Sequence, residues 1–204
     1  MIKLETVTSE SKIIQILDLL RFALLVTFLS LFFVTFIGQK NTVVGSSMYP
    51  TLHDGEGIFV EKFTKYFHKI PRGAIVTLET TSFPYYDGKA TRLIKRVIGQ
   101  PGDTIEIGEG AVYVNGKLLE EPYLGPEVVT MPHNPAYAKV TLGPWEYYCM
   151  GDNRSNSKDC RDLGPVKIRS IIGHLKWRIY PFDKFGNPDT YMKQERAKED
   201  VPKS

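Results

Sequence analysis

A charge-free run of apolar residues near the N-terminus constrains this chain more than any other feature. It extends from Phe22 to Ile37, and a few flanking residues bring it close to the ~20 residues needed to cross the hydrocarbon core of a bilayer. The run is apolar on every face, whereas a surface helix of a soluble protein keeps one polar side. We therefore predict a transmembrane anchor over residues 19–38, preceded by a short N-terminal segment, residues 1–18.

A cleavable signal peptide and a buried core helix are the alternatives to an anchor. A signal peptide would be followed by a small-x-small cleavage sequence, but the chain continues with Gly-Gln-Lys. Basic residues precede the run more often than they closely follow it: Lys3, Lys12 and Arg21 against Lys40. Because cytoplasmic flanks carry the excess of Lys and Arg, we expect a single-pass plasma-membrane protein with a cytoplasmic N-terminus.

Beyond residue 40 the pattern becomes that of short β-strands. Segments such as IFVEKF, AIVTLE, RLIKRVIG and WEYYCM are rich in β-branched and aromatic residues and are bounded by Gly or Pro. Asn115-Gly116 between two apolar arms is a strong hairpin signal. The prediction is a mainly β fold, with an all-β domain over residues 41–182 that forms several antiparallel sheets or, alternatively, a partly closed barrel. The charged tail, residues 183–204, has almost no core-forming residues, and we expect it to be loosely ordered.

The charge balance and the number of cysteines limit the kinds of partner and cofactor that this chain can be expected to bind. The 26 Lys and Arg are nearly balanced by 23 Asp and Glu and are spread along the chain, so a nucleic acid is a poor candidate partner. Two cysteines, Cys149 and Cys160, allow one bridge but no disulfide framework, and their spacing suggests neither metal ligation nor redox chemistry. The lipid bilayer is the partner that the anchor itself implies.

The stretch GSSMYPTL, which begins about eight residues after the apolar run ends, contains a candidate nucleophile. Ser47 precedes a Met-x-Pro turn, but a serine hydroxyl is a weak nucleophile and needs a base beside it. None of the four histidines lies in a recognisable catalytic setting, and the Gly-x-Ser-x-Gly elbow of α/β-hydrolases fails at Tyr49. A histidine brought to Ser47 by folding is still an alternative.

A lysine is the other candidate base. Lys95 lies within a predicted strand, and alternation places it on the same face as Leu93 and Val97. Burial there would favour the neutral amine, which can accept the serine proton. The competing interpretation is an edge-strand lysine that points to water.

The polar loop GDNRSNSKDCR is the third candidate stretch. It fails as a calcium-binding loop, because Arg154 falls where an oxygen ligand is needed. It fits better as support for a lysine base, in which Ser157 orients the amine while Asp159 and Arg161 pair and hold the loop.

Four blocks in this order behind an anchor, GSSMYPTL, RGAIVTLE, RLIKRVIGQPGD and GDNRSNSKDCRDLG, resemble bacterial type I signal peptidase over about residues 20–180. The resemblance implies Ser47 as nucleophile, Lys95 as general base, and a supporting set of Ser157, Asp159 and Arg161. It also implies an all-β catalytic domain outside the cytoplasm and neither metal nor cofactor. The implied substrates are the signal peptides of exported preproteins, cut after a small-x-small sequence.

Small-residue specificity would require two shallow apolar pockets beside the nucleophile. By their nearness to the dyad and by match to the family, we place four residues there: Val43, Met48, Leu52 and Ile94. The substrate is expected to lie as an added strand between the segments around Val43 and Leu93.

Three positions depart from the family pattern. Gly45 stands where some relatives carry a serine whose hydroxyl helps to form the oxyanion hole, so backbone N–H groups or water must serve here. Ser155 replaces a common aspartate, and Cys160 stands where serine is common. The compact chain resembles the single-anchor Gram-positive type.

Two rival functions are less consistent with the sequence. The self-cleaving repressors of the SOS response share serine/lysine chemistry, but they need a helix-turn-helix where this chain has its apolar run. An anchored β-domain that binds peptides by strand addition explains the anchor and the strands. It leaves the Ser47–Lys95–Ser157 set unexplained.

Overall fold

The N-terminal unit is a single long helix. The computed structural model describes residues 2–67, 70–79 and 92–190, with side chains from residue 12 onward. Helix α1, Ile2–Phe32, continues into a π-helical turn, Phe33–Ile37. Its apolar side chains are exposed on all sides, and its length and composition suffice to cross a membrane. It forms one compact unit, Met1–Gly38, and the remainder of the chain forms a second.

The second unit is built on two mainly antiparallel sheets. Its strands in chain order are β1 Gly38–Thr42, β2 Gly57–Glu61, β3 Ile75–Glu79, β4 Arg92–Gly99, β5 Thr104–Gly108, β6 Ala111–Val114, β7 Lys117–Leu118, β8 Lys139–Thr141, β9 Glu146–Met150, β10 Val166–Lys167 and β11 Ile171–Tyr180. The larger sheet has the order β1-β2-β11-β3-β4-β9-β10, and the smaller one the order β7-β6-β5-β8. The expected mainly β fold is confirmed.

Most strands lie where β-branched and aromatic residues predicted them. The hairpin between β6 and β7 turns at Asn115 and Gly116, both at positive φ, as the Asn-Gly signal required. Three short strands, β1, β8 and β10, were not predicted. β1 is built of GQKNT, whose polar composition carries no strand signal.

Two apolar clusters form the core and position the turn that carries Ser47. The larger cluster packs residues of both sheets, such as Val97 of β4 and Ile105 of β5, against each other. The smaller cluster contains Met48 and Leu52, which are 1% and 0% exposed, beside residues of β2 and β3. The turn is therefore anchored in the core on both sides of its proline.

The C-terminal segment is attached to the domain as far as it is described. Arg178 and Gly186 exchange two backbone hydrogen bonds, and Asp189 pairs with Arg96 of β4 at 2.8 Å. Residues 183–190 are therefore attached to the domain, whereas the sequence led us to expect a loosely ordered tail. The attachment needs few apolar residues, because an ion pair to the buried Arg96 holds this segment. Residues 191–204 of the tail lie outside the described part of the chain.

Candidate active site

Ser47 and Lys95 meet although 48 residues separate them. The ammonium nitrogen Nζ of Lys95 lies 2.7 Å from Oγ of Ser47 and 3.0 Å from the carbonyl oxygen of Ile94, within hydrogen-bonding distance of both. Among the histidines that the structure describes, His133 faces Asp162 and His174 faces Glu61, and none is hydrogen-bonded to Ser47. The geometry supplies a base for the hydroxyl without a histidine.

Lys95 is buried, with 2% of its surface exposed. Because its side chain is buried and reaches Ser47, the interpretation as a lysine that points to water is wrong. Burial lowers the pKa of Lys95 to about 8, and the carboxylate of Asp159 opposes part of that shift. An amine with this pKa is neutral in about one tenth of molecules at pH 7, against roughly four in ten thousand for a solvated lysine.

The loop after β9 holds the backbone of the two adjacent serines. The backbone N–H of Asn153 donates to the carbonyl oxygen of Ser47 at 3.1 Å, and its side-chain amide donates to the carbonyl oxygen of Ser46. The Asn156 amide donates to Oγ of Ser46 at 3.1 Å. Ser46 is therefore occupied by the loop, whereas the hydroxyl of Ser47 faces Lys95.

Gly151 allows this loop to approach the nucleophile. A Cβ at Gly151 would lie 2.2 Å from Oγ of Ser157 and 2.4 Å from the carbonyl oxygen of Ser47. Ser157 therefore lies beside the backbone of the nucleophile. The amine of Lys95 bonds to Ser47 and to the carbonyl oxygen of Ile94 but not to the buried hydroxyl of Ser157, so the contact expected from the sequence is not made here.

Asp159 and Arg161 form the brace that the sequence predicted. The Asp159 carboxylate accepts hydrogen bonds from Nε and Nη2 of Arg161, each at 2.9 Å, and from the backbone N–H of Gly151 at 2.9 Å. Asp159 also caps the short helix α2, Cys160–Leu163, in a capping box with Asp162. Burial alone would raise the pKa of Asp159, but the hydrogen bonds and charge of Arg161 outweigh it and lower that pKa.

A second buried ion pair, which sequence reasoning missed, joins the three segments of the site. The Asp152 carboxylate accepts from Arg96 at 2.7 and 2.9 Å and from Oγ1 of Thr51 at 2.5 Å. Arg96 directly follows Lys95, Thr51 belongs to the nucleophile turn, and Asp152 belongs to the loop. All three are at most 2% exposed. The alternation of β4 sends Lys95 and Arg96 to opposite faces, and each is held there.

The two cysteines are both buried and unbridged. The backbone N–H of Cys149 donates to Sγ of Cys160 at 3.1 Å, and no disulfide joins the two residues. The hydrogen bond to Cys160, followed by burial, raises the pKa of Cys149, so it stays a neutral thiol. The pair occupies the core side of the loop rather than the groove.

Gly45 adopts a backbone conformation suited to glycine, with φ at +86°. Its N–H donates to Oδ1 of Asp54 at 2.7 Å, and nothing lies within 4 Å of where a Cβ would be. The N–H of Ser47 donates to none of the described residues. Of these two groups, the backbone N–H of Ser47 is thus available to an incoming oxygen.

A groove of about 320 Å³ begins at Ser47 and Lys95. One wall contains residues 40–45 and the other residues 92–95, with Thr77 between them. Of the four predicted pocket residues, three line it: Val43, Met48 and Ile94. Leu52 does not line it and packs beneath in the small apolar cluster.

The walls of this groove have unpaired strand edges. Residues 92–96 of β4 pair with β3 on one side, and pairing with β9 on the other side begins only at Arg96. Strand β1 is the outermost strand of the larger sheet. An extended peptide therefore fits between two edges. A larger cavity of about 440 Å³ surrounds Arg96 and His174, but neither member of the dyad lines it.

The hydroxyl of Ser47 is hydrogen-bonded to a buried lysine, and the β-domain that carries both residues follows an apolar helix in the chain. Serine hydrolases that use lysine as their base have this arrangement. The family described as signal peptidase, peptidase S26, matches residues 16–180. The chain belongs to this family.

Curated relatives agree with the family match over most of the chain. The chain is 38% identical to signal peptidase I T of Bacillus subtilis over 73% of its length and 77% of that protein. It is 35% identical to signal peptidase I S of the same organism, over 85% of this chain and 94% of the relative. A crystal structure of a signal peptidase I from Enterococcus faecalis V583, 31% identical, covers 52% of this chain and 97% of that chain with a TM-score of 0.44.

Proposed function

We propose that this chain is a membrane-bound serine endopeptidase that removes N-terminal signal peptides from exported preproteins. Membership of the signal peptidase family supports the reaction class and the substrate. The observation that carries the chemistry is the 2.7 Å contact between Lys95 and Ser47, in a setting that lowers the pKa of the lysine to about 8.

In the proposed mechanism, neutral Lys95 accepts the Ser47 proton as Oγ attacks the scissile carbonyl carbon. The protonated amine then donates its proton to the leaving amine, and an acyl-enzyme ester on Ser47 remains. Lys95 next takes a proton from water, which attacks the ester and releases the signal peptide as a carboxylate. One buried amine thus serves as base and acid in both steps.

The developing oxyanion needs donors already in place. We assign the backbone N–H of Ser47 to this role, because it donates to no described residue and adjoins the attacking oxygen. Gly45 lacks the hydroxyl that some relatives provide at this position, so backbone N–H groups supply a larger part of the oxyanion stabilisation here. Asp159 and Arg161, together with Asp152 and Arg96, are assigned to holding the loop and the base in register.

The substrate would enter the groove as an added strand between β1 and the first half of β4. Its main chain then finds the unpaired edges, and alternate side chains point toward Val43, Met48 and Ile94. These residues are assigned to pockets that accept small side chains at one and three residues before the cut. Leu52 supports the pocket floor from below rather than contacting the peptide.

The membrane arrangement is part of the proposal. Relatives are signal peptidases, and the part of the chain that the structure describes has one apolar helix long enough to span a membrane, which supports an anchor at residues 19–38. We assign residues 1–18 to the cytoplasm and residues 41–182 to the far side of the plasma membrane, from the excess of basic residues before the run. Signal peptides and the bilayer are the proposed partners, and nucleic acid is not among them.

The decisive test compares the two adjacent serines. Ser47→Ala should reduce cleavage of a synthetic preprotein by the purified full chain at least 10⁴-fold, because the nucleophile is lost. Ser46→Ala is the matched control, since Oγ of Ser46 accepts only from Asn156, and it should cost less than about tenfold. An inactive Ser46→Ala beside an active Ser47→Ala would refute the assignment.

A further inference from the structure

The substrate groove carries a charge bias at its end farthest from the dyad. Lys40 on β1 and Arg92 on β4 both line the groove, one on each wall, and both are exposed. Among the lining residues that the structure describes none is acidic, and the third charged group is Lys95 itself. An occupant of this end therefore meets two cations.

Further basic groups surround Arg92. Burial, followed by the positive charge of Arg92, lowers the pKa of Lys62, which places Lys62 close by. Glu79 lies directly opposite Arg92 in the β3–β4 register, but it does not line the groove. Among the groove-lining residues that the structure describes, Lys40 and Arg92 therefore make this end positively charged.

The strand geometry gives the distance from the scissile bond. Arg92 precedes Lys95 by three residues, or about 10 Å at the rise of a β-strand. An extended substrate advances by the same rise per residue. The substrate residue directly before the scissile bond lies at Ser47. The substrate residues that face Lys40 and Arg92 are therefore those about four to six positions before the cut.

We propose that Lys40 and Arg92 select preproteins with a carboxylate side chain four to six residues before the cleavage site. The inference rests on the proposed function and extends it to a specificity that small-residue pockets do not provide. Lys40 and Arg92 would act through exposed ion pairs, so each contributes only modestly to the binding of the substrate. A single Glu should raise kcat/KM about two- to five-fold over Gln, mainly through KM.

The test uses the full chain purified in non-ionic detergent and one synthetic preprotein. Its residues four, five and six before the cut are Gln, with single changes to Glu or Lys at each. At about 50 mM salt the expected order of kcat/KM is Glu, then Gln, then Lys. At about 0.5 M salt the differences should largely vanish, because exposed charges are screened.

Charge reversal is the sharper arm of the test. Arg92→Glu combined with Lys40→Glu should invert the order, so that Lys substrates are cut best. Lys117→Glu, the same charge change on exposed β7 of the smaller sheet, should leave the order unchanged. An order that is flat in the wild type, or unchanged by the double variant, overturns the proposal.

Three further outcomes separate this inference from its alternatives. If the double variant loses binding to vesicles of anionic phospholipid while its substrate order is unchanged, the cations serve lipid headgroups and the proposal is wrong. If the wild type fails to cut even the Gln substrate, the proposed function itself fails. If the wild type cuts all substrates equally well and Ser47→Ala abolishes cleavage, the proposed function stands and only the proposed charge preference is wrong.

Discussion

At the scale of single residues, the proposed role of Lys95 as the base predicts how activity depends on pH. Its pKa of about 8 means that the base is protonated and inactive at acid pH and becomes available as the pH rises through about 8. We expect kcat/KM to rise tenfold per pH unit below that value and to level off above it. A rising limb centred near 6.5, removed by one His→Ala change, would instead indicate a histidine base.

The same lysine should destabilise the fold at neutral pH. The unfolded chain keeps the Lys95 proton up to about pH 10.5, whereas the folded chain releases it near pH 8. Between these values the unfolded state binds more protons, so stability rises with pH, and below pH 8 the whole cost of up to about 3 kcal/mol is present. Lys95→Met should therefore be inactive yet more stable than the wild type at pH 7.

Denaturant unfolding in detergent at pH 7 and pH 10 measures this effect. The stability gap between Lys95→Met and the wild type should shrink at the higher pH. Lys117→Met, at an exposed lysine of β7, is the control and should show no such pH dependence. An equal gap at both pH values would contradict a lysine that is buried with a depressed pKa.

At the scale of elements, the approach of the loop after β9 to the nucleophile turn depends on the missing side chain of Gly151. Gly151→Ala puts a methyl group against the carbonyl oxygen of Ser47 and displaces it. A shift of about 1 Å at the nucleophile costs on the order of 100-fold in rate. We expect that loss in kcat, measured on the synthetic preprotein.

Gly108→Ala is the matched control for this loop variant. Gly108 also lacks a positive φ, and nothing lies within 4 Å of its would-be Cβ. Its activity should equal that of the wild type within a factor of two. Comparable losses in both variants would show that the effect comes from the general cost of replacing a strand-end glycine rather than from the contact with Ser47.

Most strands could be predicted from local sequence, whereas the pairing of Ser47 with Lys95 and the brace of Asp159 and Arg161 were expected from the resemblance to a known family. The ion pairs of Arg96 could not be predicted. Lys95 stands out because a charged residue interrupts an apolar strand, and Ser47 because a turn signal surrounds it. The partners of Arg96 lie 56 and 93 residues away, and ion pairs at such separations leave no local pattern. Strand β1 was missed because its pairing with a neighbour, not its composition, makes it a strand.

At the scale of the whole molecule, the C-terminal segment secures the centre of the sheet. Asp189 lies beyond the residues that the family match covers, yet it accepts a hydrogen bond from Nη1 of Arg96 at 3.0 Å. Tyr123 covers the same guanidinium, 3.8 Å from the ring centre. Asp189→Ala should lower stability by about 1 kcal/mol, since the pair is partly exposed.

Thermal unfolding of the full chain checks this prediction. Asp183→Ala removes the same charge from an exposed 3₁₀ turn, Phe182–Lys184, of the same segment and should leave the melting temperature within a degree. Equal melting temperatures for both variants would show that the contact between Asp189 and Arg96 contributes nothing to stability.

The hydrogen bonds from Asn153 to Ser46 and Ser47 also have a consequence for biosynthesis, because the proposed active site is complete only once they can form. Asn153 reaches Ser46 across 107 residues of chain, so a growing polypeptide carries Ser47 and Lys95 long before it carries the loop that aligns them. A ribosome must add most of the remaining chain before any peptide bond can be cut. During that interval the chain's own apolar helix, which is made first, cannot be cut by the active site of the same molecule.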